Sequence, residues 1–228
     1  MPAFRAARLG TSLTSMRPRR FLAVEAVQLV GGRVCLDFVN TTGARSSANP
    51  RERLNTYRDA LTWSRRVGII NATTHRLLSK RATVQVAEAA TALDALRQRR
   101  QPFYRLLCAA IERKPPPDRL VSAIDRLWHE LERRRALVFD GKKYVFRFRA
   151  ATTDFDAPIW PIMSSVVDLF TSPDITRVKR CGECDWLFLD ESKNGSRTWC
   201  KKECGDRVRA RRHYQHVRQG RSRRSDAS

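Results

Sequence analysis

Apolar positions recur every three or four residues over most of residues 50–172, which is the spacing of helices packed on one side. Behind Asp118, a residue type that caps helices, such a stripe is formed by Leu120, Ile124, Leu127 and Leu131. Further stripes predict helices from Asn49-Pro50 to Gly68, from Thr73 or Thr74, from Val84 to Arg100, and from Pro161 to Phe170. Pro102 is expected to end or kink the helix before it, because proline lacks an amide donor.

Two regions carry strand signals instead. Residues 137–139 and 144–148 flank Asp140-Gly141, a dipeptide typical of tight turns, and predict a β-hairpin. Val34–Asn40 is an apolar run behind Gly31-Gly32, and we interpret it as a short buried strand or an extended segment. The fold class is therefore α+β, with a mainly helical N-terminal domain that contains a small β-hairpin.

Two pairs of cysteines give the last fifty residues a different character. Cys181 and Cys184 enclose two residues, Cys200 and Cys204 enclose three, and fifteen residues separate the pairs. Soft thiolates in two local pairs suit a tetrahedral ion, so we expect one structural Zn²⁺ with no open coordination position. A rubredoxin-type or iron–sulfur site, two separate redox pairs, and a site in which a downstream histidine replaces one cysteine are the alternatives.

Aromatic residues surround these cysteines. Trp186, Leu187, Phe188 and Trp199 are expected to form the hydrophobic cluster of a small finger, although Trp186 and Phe188 could instead stack on bases. Asn194-Gly195 predicts the turn that returns the chain to the second pair. A segment this short buries little apolar surface, so metal binding would supply its folding free energy.

Charge narrows the choice of partner. The chain has 45 basic and 23 acidic residues among 228, a net charge of +22, and a pI near 11.1. Such a surplus favours a polyanion, and nucleic acid first. No stretch approaches the roughly 18 consecutive apolar residues of a membrane span, which argues against an integral membrane protein. Without a secretory signal, the cysteines indicate a reducing, cytoplasmic compartment rather than disulfides.

The charge is densest behind the last cysteine, where residues 204–224 contain eight arginines and one acid. We predict a helix over about 206–218, with Ala210, Tyr214 and Val217 packed on one side and arginine rows outside. Stacked like charges destabilise a lone helix, and phosphates would relieve that repulsion. The candidate nucleic-acid contacts are Arg207, Arg209, Arg211, Arg212, His213 and Arg218.

The segments Cys181-Gly-Glu-Cys184, Arg197-Thr-Trp199-Cys200 and Cys204-Gly205-Asp206-Arg207 resemble the CGNR zinc finger. Upstream, Gly31-Gly32 with the run Leu36-Asp37-Phe38-Val39-Asn40-Thr41 is similar to the ABATE domain that commonly precedes this finger. The resemblance implies a bacterial stress-induced transcription regulator that binds DNA through the finger, with these four cysteines as zinc ligands. Asp206 stands where the family has asparagine, so any DNA contact of that asparagine would be lost here.

These observations predict disordered basic tails over 1–22 and 219–228, an ABATE-like domain over 23–172, and a treble-clef-like hairpin-plus-helix finger over 173–218. The first tail could also be a transit peptide, or the true start could be Met16. His75 and His129 are expected at the surface, and Cys35 and Cys108 as small core hydrophobes.

We expect a DNA-binding regulator that is cytoplasmic and associated with the bacterial nucleoid. Its N-terminal domain would sense a small molecule or form a homodimer. Asp37 and Asn40 could contact that ligand, or could serve as turn or buried hydrogen-bonding residues. An RNA- or ribosome-associated protein is the main alternative. An enzyme is disfavoured, because the sequence shows no phosphate loop and no group of acid, base and nucleophile.

Overall fold

A computed structural model describes residues 24–45, 49–148 and 154–225, with side chains as far as residue 219. The tail predicted over 1–22 lies outside the described residues. The helices are α1 (Val34–Val39), α2 (Tyr57–Arg66), α3 (Ala72–Val84), α4 (Val86–Ile111), α5 (Asp118–Arg134), α6 (Ile159–Phe170) and α7 (Lys202–Ser225). Short 3₁₀ turns lie at Val24–Ala26 and Pro173–Arg177. None of the described helices is long and apolar enough to cross a membrane.

The strands form three separate antiparallel pairs in the described chain. They are β1 (Thr42–Gly43) with β2 (Arg51–Glu52), β3 (Arg135–Phe139) with β4 (Tyr144–Phe148), and β5 (Val178–Arg180) with β6 (Leu187–Leu189). The second pair confirms the hairpin predicted around Asp140-Gly141. The mainly helical architecture, followed by a hairpin and a long helix, confirms the α+β prediction.

The prediction for Val34–Asn40 is wrong, because most of this run forms helix α1. Leu36, Phe38 and Val39 are fully buried. A helix that is buried on nearly every side has no polar face, so its short apolar sequence cannot be distinguished from that of a buried strand. Contacts with α4, α6 and β6 select the helix.

Two other helix predictions need correction. Helix α2 begins at Tyr57 rather than at Asn49-Pro50. The Thr56 side chain accepts a hydrogen bond from the Asp59 amide, and the Asp59 carboxylate accepts one from the Thr56 amide, so the stronger start signal is a capping box. Helix α4 continues through Pro102 to Ile111, so the proline does not end it, and a kink there stays a prediction. Packing of the buried residues that follow the proline compensates for the missing hydrogen bond.

The main hydrophobic core joins both predicted domains. Phe38 packs against Trp63 and Phe103, with ring centroids 5.7 and 6.3 Å apart. The same core includes Val178, Leu187 and Leu189 of strands β5 and β6. Strand β6 therefore contributes to the core of the N-terminal domain as well as to the finger.

The structure agrees with the predictions for the two remaining cysteines and the two histidines of the N-terminal domain. Cys35 is buried, and burial raises the pKa of its thiol to about 11, so it behaves as an inert hydrophobe. Cys108 packs beside the same core, and burial likewise raises the pKa of its thiol. His129 is exposed and lies 3.5 Å from a carboxylate oxygen of Asp125 one turn away, as expected for a surface histidine. His75 is partly exposed.

Candidate metal centre and nucleic-acid interface

The four cysteines of the predicted metal site come together. The first pair lies in the turn between β5 and β6, and the second pair lies at and just before the start of α7. Their sulfur atoms all lie within 4.8 Å of one another. In this turn the Cys181 amide donates to the Trp186 carbonyl, and Asp185 takes a left-handed conformation with φ 61°. The chain thus presents two adjacent thiols from one local turn.

The spacing of the thiols fits zinc. The Cys184 sulfur lies 3.5 Å from that of Cys200 and 3.8 Å from that of Cys204, and the last two are 3.7 Å apart. Tetrahedral Zn²⁺ with Zn–S bonds of about 2.3 Å would separate its sulfur ligands by about 3.8 Å. Hydrogen bonds from the Cys184 and Cys200 thiols lower the pKa of Cys181, and the same contacts raise the pKa of Cys200, so the thiols share their protons as one group. A metal ion would bind in place of those protons, because its ligands must be thiolates. Cys181, Cys184, Cys200 and Cys204 can therefore hold one zinc ion, and four protein ligands make it a structural one.

Arg207 contacts one of these sulfur ligands from outside the site. Its guanidinium donates to the Cys204 sulfur at 3.1 Å and to a carboxylate oxygen of Glu183 at 3.2 Å. Four thiolates around a divalent ion leave a net charge of −2, which a cation at this distance partly compensates. The residue that we predicted to contact nucleic acid thus supports the metal site.

Asp190 organises the loop between the two cysteine pairs. Its fully buried carboxylate accepts hydrogen bonds from the Ser192 and Arg197 amides and from the Lys179 ammonium, at 3.0, 2.9 and 2.7 Å. These donors, first of all Lys179, hold the pKa of Asp190 far below its usual range. The Asn194-Gly195 turn that we predicted closes this loop, with Gly195 at φ 57°. The loop is therefore fixed before it reaches the second pair.

The position of the Trp199 ring explains why two residues of the cysteine motifs are glycine. A Cβ atom added at Gly205 would lie 2.9 Å from the indole ring, and one added at Gly182 would lie 3.1 Å from it. Trp186 and Phe188 are buried beside the cysteines, so they are packing residues rather than exposed base-stacking platforms. The prediction for Leu187 is wrong: it points into the main core because alternate residues of a strand face opposite sides.

Asn40 and Gly31 hold strand β6 against the N-terminal domain. The Asn40 amide nitrogen donates to the Leu187 carbonyl at 2.8 Å, and its oxygen accepts from the Leu187 amide at 2.9 Å. The Leu189 amide donates to the Gly31 carbonyl at 2.8 Å. Since Asn40 is 1% exposed, its role is the buried hydrogen-bonding one and not ligand contact.

Asp37 shapes the same junction from the other side. Its carboxylate accepts from the Gly31 amide at 2.8 Å, and burial raises the pKa of this group to about 6. A Cβ atom added at Gly31 would lie 2.7 Å from the Asp37 amide nitrogen, so glycine is required here. The motif from Gly31 to Asn40 is therefore a docking surface for the finger.

Family comparison agrees with this arrangement. The model of the ABATE family, described as "putative stress-induced transcription regulator", matches residues 32–173. The chain belongs to the ABATE family. The CGNR zinc finger model matches residues 177–217, immediately downstream. Both are regulator or zinc-finger families rather than enzyme families. No curated protein matches the chain.

The arginine helix of this ABATE protein differs from its prediction in two ways. It runs from Lys202 to Ser225, beyond the boundary expected at 218. Every residue from Arg209 to Gln219 is exposed, and the side predicted to pack lies in solvent, with Tyr214 69% and Val217 39% exposed. Within the described side chains, the first turns, which include Cys204 and Gly205, are the part of α7 that is buried against the finger.

Acids of the finger engage three of the predicted nucleic-acid contacts. Glu183, in the first cysteine turn, binds Arg211 at 2.8 Å as well as Arg207. Arg209 pairs with Asp206 one turn earlier. Sequence spacing could not reveal the Glu183 contact, because it joins two segments that only the metal site brings together.

The remaining candidates are Arg212, His213 and Arg218, which are exposed. Within the described residues neither of these arginines has an acidic partner, and the His213 ring contacts only its neighbour Tyr214, at 6.1 Å between centroids. These three side chains remain available to a partner.

Proposed function

We propose that this protein is a transcription regulator that binds duplex DNA through helix α7, with the zinc centre fixing the direction of that helix. The N-terminal domain is the base on which the finger is mounted. Membership of a regulator family and the four-cysteine site support the coarser part of this proposal. The surface of α7 supports the DNA-binding part.

The observation that carries the proposal is the exposure of α7. A helix of 24 residues is about 36 Å long at 1.5 Å per residue. From Arg209 to Gln219 it is exposed on all sides, and its sequence contains no acid between Arg207 and Ser225. Beyond its first turns, the described part of this helix has no packing that would stabilise it, and its like charges repel one another along its length. A polyanion removes the repulsion, and the major groove of B-DNA admits a helix of this width.

The ion pairs of the finger divide the arginines of α7 by role. Arg207 and Arg211 are held by Glu183 beside the zinc centre, so they orient the first turns, whereas Arg209 pairs with Asp206 within the helix. Arg212 and Arg218, with three further arginines at 221–224, are the groups that we expect to contact phosphates. Five phosphate contacts predict that log affinity falls with log salt at a slope of about −4.5 for duplex DNA.

Fluorescence anisotropy of labelled random duplexes measures their affinity for zinc-loaded full-length protein. The salt concentration is varied from roughly 50 to 200 mM, a range in which the contribution of phosphate contacts to affinity changes strongly. Replacing Arg212 and Arg218 together by glutamine is expected to weaken binding and to flatten the slope by about 2. The matched control replaces Arg119 and Arg133, two exposed arginines of α5, by glutamine. A slope near zero, or an equal effect of the control, would refute the proposal.

Two further measurements test the metal and the polyanion. Cys200→Ala should abolish zinc binding and DNA binding together, because the direction of α7 depends on the metal. Competition of duplex DNA with structured RNA tests the alternative function, and preference for RNA would replace the DNA proposal. Homodimerisation stays a prediction, which light scattering of the purified protein would decide.

A further inference from the structure

A polar cleft lies between the N-terminal domain and the finger. Its volume is about 580 Å³, and it is formed by β1, the segment around Arg45, helix α4, β5 and the first cysteine turn. Volumes of this order are typical of small-molecule sites, which run from about 300 to 1,000 Å³. The groups that matter for its chemistry are Thr42, Arg45, Arg97, Gln101, Tyr104 and Arg180.

Positive charge dominates the wall of the cleft. Arg100 also lines it, so four arginines face two acids, Glu52 and Asp185. Glu52 is engaged by Arg100, whose guanidinium donates to both carboxylate oxygens and, at 2.7 Å, to the Thr41 hydroxyl. Arg100 and Glu52 therefore form a bidentate ion pair in which each charge has its partner. Arg97 likewise lies 3.2 Å from a carboxylate oxygen of Asp94, and Asp185 partly offsets the charge of Arg180. The positive charge that stays uncompensated is therefore mainly that of Arg45.

Among the arginines of the cleft, Arg45 has the surroundings that most favour binding of an anion. Its hydrogen-bond partners among the described residues are neutral: it donates to the Gln101 side chain at 3.0 Å and to the Val39 carbonyl, and it stacks 4.2 Å above the Tyr104 ring. Burial, and then repulsion by Arg100, lower the pKa of Arg45 to about 10. A bound anion would offset both effects.

A second observation points to a ligand independently of charge. Thr42 is 8% exposed, and its buried hydroxyl oxygen has no hydrogen-bond partner among the described residues. An unsatisfied buried hydroxyl costs about 1–3 kcal/mol. Because Thr42 lines the cleft, a ligand oxygen there would supply the partner that the protein lacks.

We propose that this cleft binds a small anion through a phosphate or carboxylate group, with Arg45 and Arg180 as its cationic contacts and the Thr42 hydroxyl as a further donor. The inference rests on the proposed function, for which it names the class of signal. Arg180 precedes the first zinc ligand and Asp185 follows the second, so a ligand bound here touches the finger and α4 together. Occupancy would thereby bias the position of the DNA-binding element. A backbone phosphate of duplex DNA is the other source of this chemistry, but a buried hydroxyl in a cleft suits a small molecule better.

Isothermal titration calorimetry of zinc-loaded full-length protein, without DNA and at constant ionic strength set with chloride, tests the site. The probes are inorganic phosphate and succinate, which separate a phosphate from a carboxylate ligand. We expect saturable binding of at least one probe, weakened about tenfold or more by Arg180→Gln. Arg45→Gln should do the same, and Arg180, being exposed at the edge of β5, serves as the variant that leaves folding intact. Arg119→Gln is the matched control and should leave binding unchanged.

Thr42→Val provides a readout that a structural role would not produce. Removing an unpaired buried hydroxyl should raise the melting temperature of the free protein, while the affinity for the probe falls. A variant that loses both stability and affinity would show that the hydroxyl has an internal partner, and would overturn its role as a ligand contact.

The variant in which Arg212 and Arg218 are replaced by glutamine distinguishes probe binding in the cleft from probe binding to α7. If that variant binds the probe normally while Arg180→Gln does not, the cleft is the site, whatever the outcome of the DNA experiment. If probe binding disappears with the α7 variant, or if neither probe saturates, the cleft proposal is refuted. If only short duplex DNA requires Arg45 and Arg180, the anion is a DNA phosphate and the small-molecule proposal is wrong.

Discussion

Replacing Asn40 by alanine should weaken the attachment of strand β6 to the N-terminal domain. Its side chain makes two buried hydrogen bonds to the backbone of Leu187, of 2.8 and 2.9 Å. Alanine leaves the Leu187 amide and carbonyl without partners in an interior where water has little access. Each unsatisfied group costs about 1–3 kcal/mol, so the free energy of unfolding should fall by about 2–6 kcal/mol. That is a large share of the roughly 5–15 kcal/mol of a typical domain.

Urea denaturation of the zinc-loaded protein, followed by far-UV circular dichroism, measures this loss. Amide hydrogen exchange localises it, because protection should disappear first at Leu187 and Leu189, the residues that face the N-terminal domain. Asn194→Ala, in the exposed turn of the finger, is the matched control and should change stability by less than about 0.5 kcal/mol. A loss below about 1 kcal/mol for Asn40→Ala, with zinc content unchanged, would show that the two hydrogen bonds do not hold the strand.

Three further predictions concern Glu183, Asp37 and Gly205. Glu183→Gln should release Arg211 and make the salt dependence of DNA binding steeper by about one unit of slope, whereas a flatter slope would contradict our division of the arginines. Asp37 should titrate near pH 6 instead of 3.8; because its folded-state pKa is raised, stability is lost as pH rises between these values, by about 3 kcal/mol. Asp37→Asn should remove that dependence in paired urea titrations, and an unchanged profile would refute it. Gly205→Ala should lower the melting temperature by forcing Trp199 to move, and an unaffected melting curve would count against that contact.

Local signals in the sequence predicted what depends on local structure. The cysteine spacing identified all four metal ligands, because each pair is contained in one turn and the metal joins only two segments. Asp140-Gly141 placed the hairpin, and the stripe behind Asp118 placed helix α5. These features need no knowledge of distant neighbours.

What the sequence could not show depends on contacts between segments far apart in the chain. The helix at Val34–Val39 is determined by burial on several sides, and the role of Asn40 by a strand almost 150 residues later. The pairing of Arg211 with Glu183 and the alternation that turns Leu187 away from the zinc cluster arise in the same way. The all-round exposure of α7 was missed because apolar residues on one side of a helix indicate a packed face only where another element lies against it.

Strand β6 has a different neighbour on each side: Phe188 lies in the zinc cluster, and Leu187 and Leu189 lie in the helical core. Chelation of the metal would therefore open the finger and also leave a gap in the wall of the larger domain. We therefore expect a fragment without the finger to be unstable, and loss of zinc to expose the N-terminal domain to proteases as well.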